Sequence, residues 1–349
     1  MKSKNFLGLV LLSVLAIFIF YFNCTKKSTN FYYKRDYYLY VSNEAGYPES
    51  MIYVISTETD SLVDSISLGP YHVPGQLALS PDKRTLYATV VIWDSSGRHY
   101  TTTHYEIDTK TKAIKYIGPN STPFVSPDGK YLFCSGGEFC IIDAYTHQII
   151  YEDSIYFYPE CFDARNHLVY GGIEGGCRVF NYKNKTWVKS INIYPYESVL
   201  SPDGDRLYYL SGAGSKAYFG VYDLGGDSLV VEFEINSPGQ LAITPDGESV
   251  YFTDPGGGGG CIQIEPPPTG KLGVFDTKTN TPLPSIDLSP PGDPSLKLGP
   301  YYIRITPDGK KAYLSICSNA ILVIDLIRNE PLKIIMFPNR NMSLFYIAL

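Results

Sequence analysis

The amino-acid sequence predicts an all-β chain in which seven four-stranded antiparallel sheets form a ring shut by the last strand. Three observations carry this. A Ser/Thr-Pro-Asp turn between two apolar runs recurs at 80–82, 126–128, 201–203, 244–246 and 306–308. After residue 37 the apolar runs are short, and no stretch keeps a helical period. The runs also fall into four kinds, three present seven times and the fourth six times, with one apolar segment left over at the end.

Each unit reads as strands A to D. Strand A leads into the Pro-Asp turn, where Pro supplies the fixed φ of the second position, Asp tolerates the third and Gly closes the turn. The A runs are 76–80, 122–126, 158–163, 196–201, 239–244 and 301–306. Strand B follows at 38–43, then from near Leu86, Tyr131, Leu168, Leu207, Val250 and Ala312. Strand C is an apolar run ending in Asp or an equivalent, at 52–56, 104–108, 140–143, 177–181, 218–223, 272–276 and 321–325. A tight polar turn such as 108–112 leads into strand D, at 62–68, 113–117, 148–154, 187–193, 229–235, 282–288 and 332–337. Residues 163–167, Asp-Ala-Arg-Asn-His, replace the Pro-Asp-Gly turn in one unit and predict a weaker turn there. The first unit has no A strand of its own. Residues 342–349 supply it, and pairing the two ends of the chain leaves no exposed sheet edge. Residues 37–349 then form one seven-bladed β-propeller.

The segments Leu39-Tyr40-Val41-Ser42-Asn43 and Ile321-Leu322-Val323-Ile324-Asp325, with the Ser/Thr-Pro-Asp-Gly turns, resemble the YVTN-type β-propeller repeats of bacterial surface and periplasmic proteins. The resemblance spans residues 38–349 and implies the same fold. It implies little about activity, because propellers serve as binding proteins, scaffolds, lactonases, lyases and dehydrogenase subunits.

Ahead of the repeats, Lys2 and Lys4 precede an apolar run from Phe6 to Phe22, with Cys24 just after it. The layout over residues 1–24 resembles a secretory signal, and Cys24 resembles the lipidated cysteine of a bacterial lipoprotein. Tyr21 and Asn23 stand where a lipobox has Leu and a small residue. The run is also long enough for a tilted membrane anchor. Lipid anchor, uncleaved anchor and free secretion all place the folded part outside the cytoplasm, periplasmic or on the outer surface. Residues 25–36 read as a tether.

The chain carries 29 basic and 35 acidic residues without a basic stripe, which argues against nucleic acid as a partner. Tyr, at 31 copies, suits both half-buried strands and binding surfaces. Beyond Cys24 lie Cys134, Cys140, Cys161, Cys177, Cys261 and Cys317, and an exported location permits disulfides. Cys134 and Cys140 flank a short loop between adjacent strands and are the first candidates for a pair; buried thiols are the alternative. His72, His99, His104, His147 and His167 show no metal-ligand spacing and read as solvated surface residues. The Gly-rich run 256–260 precedes neither a helix nor a Lys-Ser/Thr pair, so it is not read as a phosphate loop. No CxxCH occurs, and no cofactor or metal is expected.

Loop length points to one face of the ring. The A–B and C–D turns are all short, whereas the long connections, 44–51, 91–103, 255–271 and 289–300, are all B–C or D–A. Insertions on a rigid scaffold are the usual place for recognition. On that same face, the A strands begin with Gln76, Thr122, Tyr158, Glu197, Gln240 and Tyr302, and Arg340 is the C-terminal equivalent. Glu160 and Arg304 follow two residues further in. These form a polar collar at the channel mouth, with Trp93 beside it in a long connection. The expected function is that of an envelope-anchored, non-enzymatic binding or scaffold propeller, a monomeric domain that recognises a protein, a glycan or a small ligand with this face. The alternative is a hydrolase or lyase resembling the propeller lactonases, working at the axial mouth with Glu160, Glu197 and Arg304.

Overall fold

The computed structural model describes residues 37–42, 50–94, 96–119, 124–134, 138–173, 175–213, 216–237, 239–255, 270–289, 299–316, 320–337 and 347–349. The predicted leader, Cys24, the tether, Thr122, Cys261, Cys317, Arg340, and most of 44–51, 255–271 and 289–300 lie outside them.

The Pro-Asp turns are held by a shared hydrogen-bond device. The Ser or Thr hydroxyl donates to the turn's Asp, as Ser80 to Asp82 and Thr244 to Asp246 (2.6 Å each). The same oxygen accepts a backbone N–H five residues on, from Thr85 at 2.9 Å and from Ser249 at 3.0 Å. The fourth residue must take a left-handed φ. Lys83 holds 66° where Gly129, Gly204, Gly247 and Gly309 hold 68–74°. Consecutive turns stack around the ring, so a Cβ on Gly247 would sit 2.9 Å from Cδ of Pro202. The turn at 163–167 is held differently: Asp163 accepts the amides of Arg165 and Asn166 and the Asn166 side chain at 2.7 Å.

Sheet pairing follows the repeat. Seven four-stranded antiparallel sheets form, each in A-B-C-D order. Blade 1 takes its inner strand from the far end of the sequence, where Ile347–Ala348 pairs with Tyr40 and Val41. Lys83 of blade 2 then donates to the Leu349 carbonyl at 2.9 Å, tying this strand to the next blade. The inner strands touch in succession around the axis, and the one remaining junction, blade 3 to blade 4, is made by the Phe124 ring edge-on to Tyr158 at 5.3 Å. The wheel is closed.

The core lies between the blades. Side chains alternate across a strand, so each sheet feeds two seams. Leu39, Val41 and Ile347 of blade 1 pack with Tyr313, Ile321 and Val323 of blade 7. Many of the tyrosines serve these seams: the ring is buried and the phenol reaches a turn of the next blade. Tyr313 of blade 7 donates to Asp60 of blade 1, and Tyr251 of blade 6 to Asn329 of blade 7 at 2.9 Å. An apolar body with a polar tip suits that crossing.

One open alternative is decided and one further expectation changes. Cys134 and Cys140 stand directly opposite each other on adjacent strands, yet no disulfide joins them; their thiols are hydrogen-bonded. His104 is not solvated. It is buried between strands, with Nε2 3.3 Å from the Thr89 hydroxyl, and burial lowers its pKa to about 4. The segment 91–103 is mainly strand, because blade 2 extends its B and C strands as far as Trp93 and Tyr100.

Candidate functional site

The A strands do not pair evenly with their B strands. Register shifts fall at Pro74/Leu77, Pro159/Cys161, Pro195/Glu197 and Pro300/Ile303. Proline has no N–H to give to the ladder, and a bulge is one of the few places in a sheet that tolerates it. Each bulge leaves one or two residues unpaired: Gly75 with Gln76, Glu160, Tyr196, and Tyr301 with Tyr302. Bulges re-aim side chains. Here the re-aimed side chains share one cavity of about 860 Å3 at the axis, opening on the face of the B–C and D–A connections.

Of the collar residues and Trp93 picked out from the sequence, eight are described, and seven of these line the cavity: Gln76, Tyr158, Glu160, Glu197, Gln240, Tyr302 and Arg304. Trp93 does not. It lies on the same face at the end of its strand, where its ring meets Tyr100 at 5.0 Å. Tyr196 and Tyr301, aromatics expected on the long-loop face, line the cavity too, and Tyr156 and Phe124 join them without having been singled out. The missed signal is a proline at or just before the start of six of the seven A strands in the sequence, at 74, 123, 159, 195, 238 and 300.

A fixed frame holds these groups. Glu160 accepts from the Ser198 hydroxyl, itself buried, and from the backbone of Gly172. Room for that carboxyl exists because residue 172 has no side chain; a Cβ there would lie 3.2 Å from Glu160 Oε1. Thr253, fully buried, accepts the Gln240 N–H at 2.7 Å and donates to the Tyr301 carbonyl at 2.9 Å, linking blades 6 and 7. The backbone N–H of Tyr302 donates to the Ser315 hydroxyl at 3.0 Å. Across the axis, the Tyr158 phenol reaches the Gln76 amide oxygen at 3.4 Å.

The electrostatics set the two sides of the cavity apart. On blades 4 and 5, burial raises the Glu160 carboxyl to about 8, with the Glu197 charge adding to the shift and the Ser198 and Gly172 hydrogen bonds opposing it. Burial likewise raises Glu197 to about 7, against the attraction of Arg304. On blade 7, burial weakens the hold of the Arg304 guanidinium on its proton, and Glu197 opposes that. At neutral pH Glu160 is therefore mainly a neutral acid and Glu197 is near its midpoint, while an arginine stays charged. The arrangement offers hydroxyl, amide and acid hydrogen-bonding groups beneath a rim of aromatic rings. Among the described residues, no group of three His, Cys, Asp or Glu side chains is placed to hold a metal ion.

No family model and no curated protein sequence matches the chain. Solved structures do. The chain is similar to Kuenenia stuttgartiensis Hydrazine Synthase, with a TM-score of 0.57 at 19% identity over 72% of this chain and 76% of that one. It is also similar to the dihydro-heme d1 dehydrogenase NirN in complex with DHE, with a TM-score of 0.54 at 16% identity over 88% and 74%. At such identities the likeness is one of fold. The chain is a seven-bladed β-propeller.

Proposed function

We propose that this propeller is a non-enzymatic binding protein that takes a hydroxylated ligand, a glycan segment or a small polar molecule, into its axial cavity from the long-loop face. One observation carries the reading. Bulged inner strands converge aromatic and hydrogen-bonding side chains on a single cavity whose size is that of small-molecule sites. Tyr rings supply flat apolar faces at small entropic cost, and the amides and neutral acid match hydroxyl groups. The N-terminal layout and the YVTN-like repeats support an exported, membrane-anchored setting for it.

The test is calorimetry of the purified chain against a panel of neutral and acidic saccharides. Tyr302→Ala and Gln240→Ala are expected to weaken the best ligand about tenfold each, the loss of one good contact, with unchanged thermal midpoints. If no saccharide or small polar molecule binds above millimolar affinity, the reading fails. A second reading, a hydrolase or lyase acting at the same place, is favoured by the raised carboxyls of Glu160 and Glu197 on adjacent inner strands. Consumption of a bound ligand, abolished by Glu160→Gln with affinity retained, would select it.

A further inference from the structure

We propose that the axial cavity selects ligands that carry a carboxylate, with Arg304 as the group that holds it; this rests on the cavity being the binding site. The Arg304 side chain is half-buried and lines the cavity. Its Nη1 donates to the Ile303 carbonyl at 2.7 Å and to the Gln240 amide oxygen at 3.3 Å. A guanidinium has five N–H donors in a planar fork, and these two bonds use one terminal nitrogen. Among the described residues, Nε and Nη2 have no partner, and no carboxylate lies within ion-pair distance. A guanidinium that faces a cavity with unused donors and no carboxylate in contact is free to take an anion. The free edge of the fork is the edge that binds a carboxylate through two parallel hydrogen bonds.

The other charged or titratable groups facing Arg304 explain why no internal partner takes this place. Glu197 and Glu160 stand on blades 5 and 4, beyond contact, and the Tyr302 and Tyr158 phenols lie at the cavity wall. Glu197 attracts Arg304 through space only. Both carboxyls are held toward their neutral forms, and Glu160 is fastened to Ser198. A neutral acid donates to a hydroxyl or ether oxygen, whereas a charged one would compete with the ligand for Arg304. The ligand class that fits is a sugar acid: a carboxylate for Arg304, hydroxyls for Glu160, Glu197 and Gln240, and a ring face for the tyrosines.

The test compares matched acid and neutral pairs by calorimetry on the full chain: glucuronate with glucose, galacturonate with galactose, and a hyaluronan tetrasaccharide with chitotetraose. In at least one pair the acid is expected to bind ten times or more tighter than its neutral counterpart. Arg304→Gln should weaken the acid about 10- to 100-fold, the range of a charge-assisted bidentate contact, and erase the acid's advantage over its neutral counterpart. Arg304→Lys, which keeps charge without the fork, should recover part of the loss and serves if the Gln variant does not fold. The acid should also bind more tightly at pH 6 than at pH 9, where Glu160 and Glu197 are charged. Neutral sugars binding as well as acids, or an acid affinity untouched by Arg304→Gln, would overturn this inference and leave the binding reading standing. No binding by either member of any pair would overturn this inference, and silence across the wider saccharide and small-molecule panel would overturn the binding reading as well.

Discussion

The closure of the ring is the prediction with the most to lose. Ile347 is 1% exposed and packs in the seam of blades 1 and 7 with Leu39, Val41, Tyr53 and Ile321. Ile347→Ala removes a side chain from a site walled by fixed strands, where little collapse is available, and such substitutions cost about 3 kcal/mol. For a chain of this size the urea m-value is about 3 kcal/mol/M, so the midpoint should fall by about 1 M. The control is Met336→Ala on the outer strand of blade 7, 61% exposed, which should shift stability by less than about 0.5 kcal/mol. The two tryptophans, Trp93 in blade 2 and Trp187 in blade 4, report from elsewhere in the ring. An open stack of repeats unfolds in parts that feel only their neighbours, whereas a closed wheel shares the loss. Fluorescence from both should therefore move together with the shift. An unchanged midpoint, or an early transition that Trp187 does not see, would refute the closed ring.

Three further outcomes are expected. Glu160 and Glu197 bind protons more tightly folded than unfolded, so the native state holds more protons between about pH 4.5 and 8 and stability falls as pH rises through that window; Glu160→Gln should flatten the fall, measured as denaturation midpoints from pH 5 to 9. Gly247→Ala forces a Cβ onto a left-handed φ of 74° and against Pro202, and should cost about 1–2 kcal/mol in the same assay. Burial raises the Cys161 thiol and lifts that of Cys177 to about 12, so both should resist alkylation in the native chain and react only on unfolding, as read by mass spectrometry; rapid native labelling of Cys177 would contradict its burial.

The architecture was legible in the residues because its signals are local. A Pro-Asp turn needs a fixed φ, a short acceptor and a residue willing to go left-handed, and those demands repeat wherever the turn does. The count of runs then required Ile347–Ala348 to serve blade 1, and the pairing with Tyr40 and Val41 is the one it required. The collar positions were also legible, since strand period and turn offset say which residue of each A strand lies nearest the axis. What lay beyond reach was everything decided by neighbours distant in the chain. His104 looked like a surface residue until the strands around it buried its ring, and Cys134 faces Cys140 without a disulfide. The proton affinities of Glu160 and Glu197, and the unspent edge of Arg304, depend on which groups four different blades bring to one cavity. Local sequence sets the conformation each segment prefers; the dielectric, the charges and the empty volume at the axis exist only after the ring has closed.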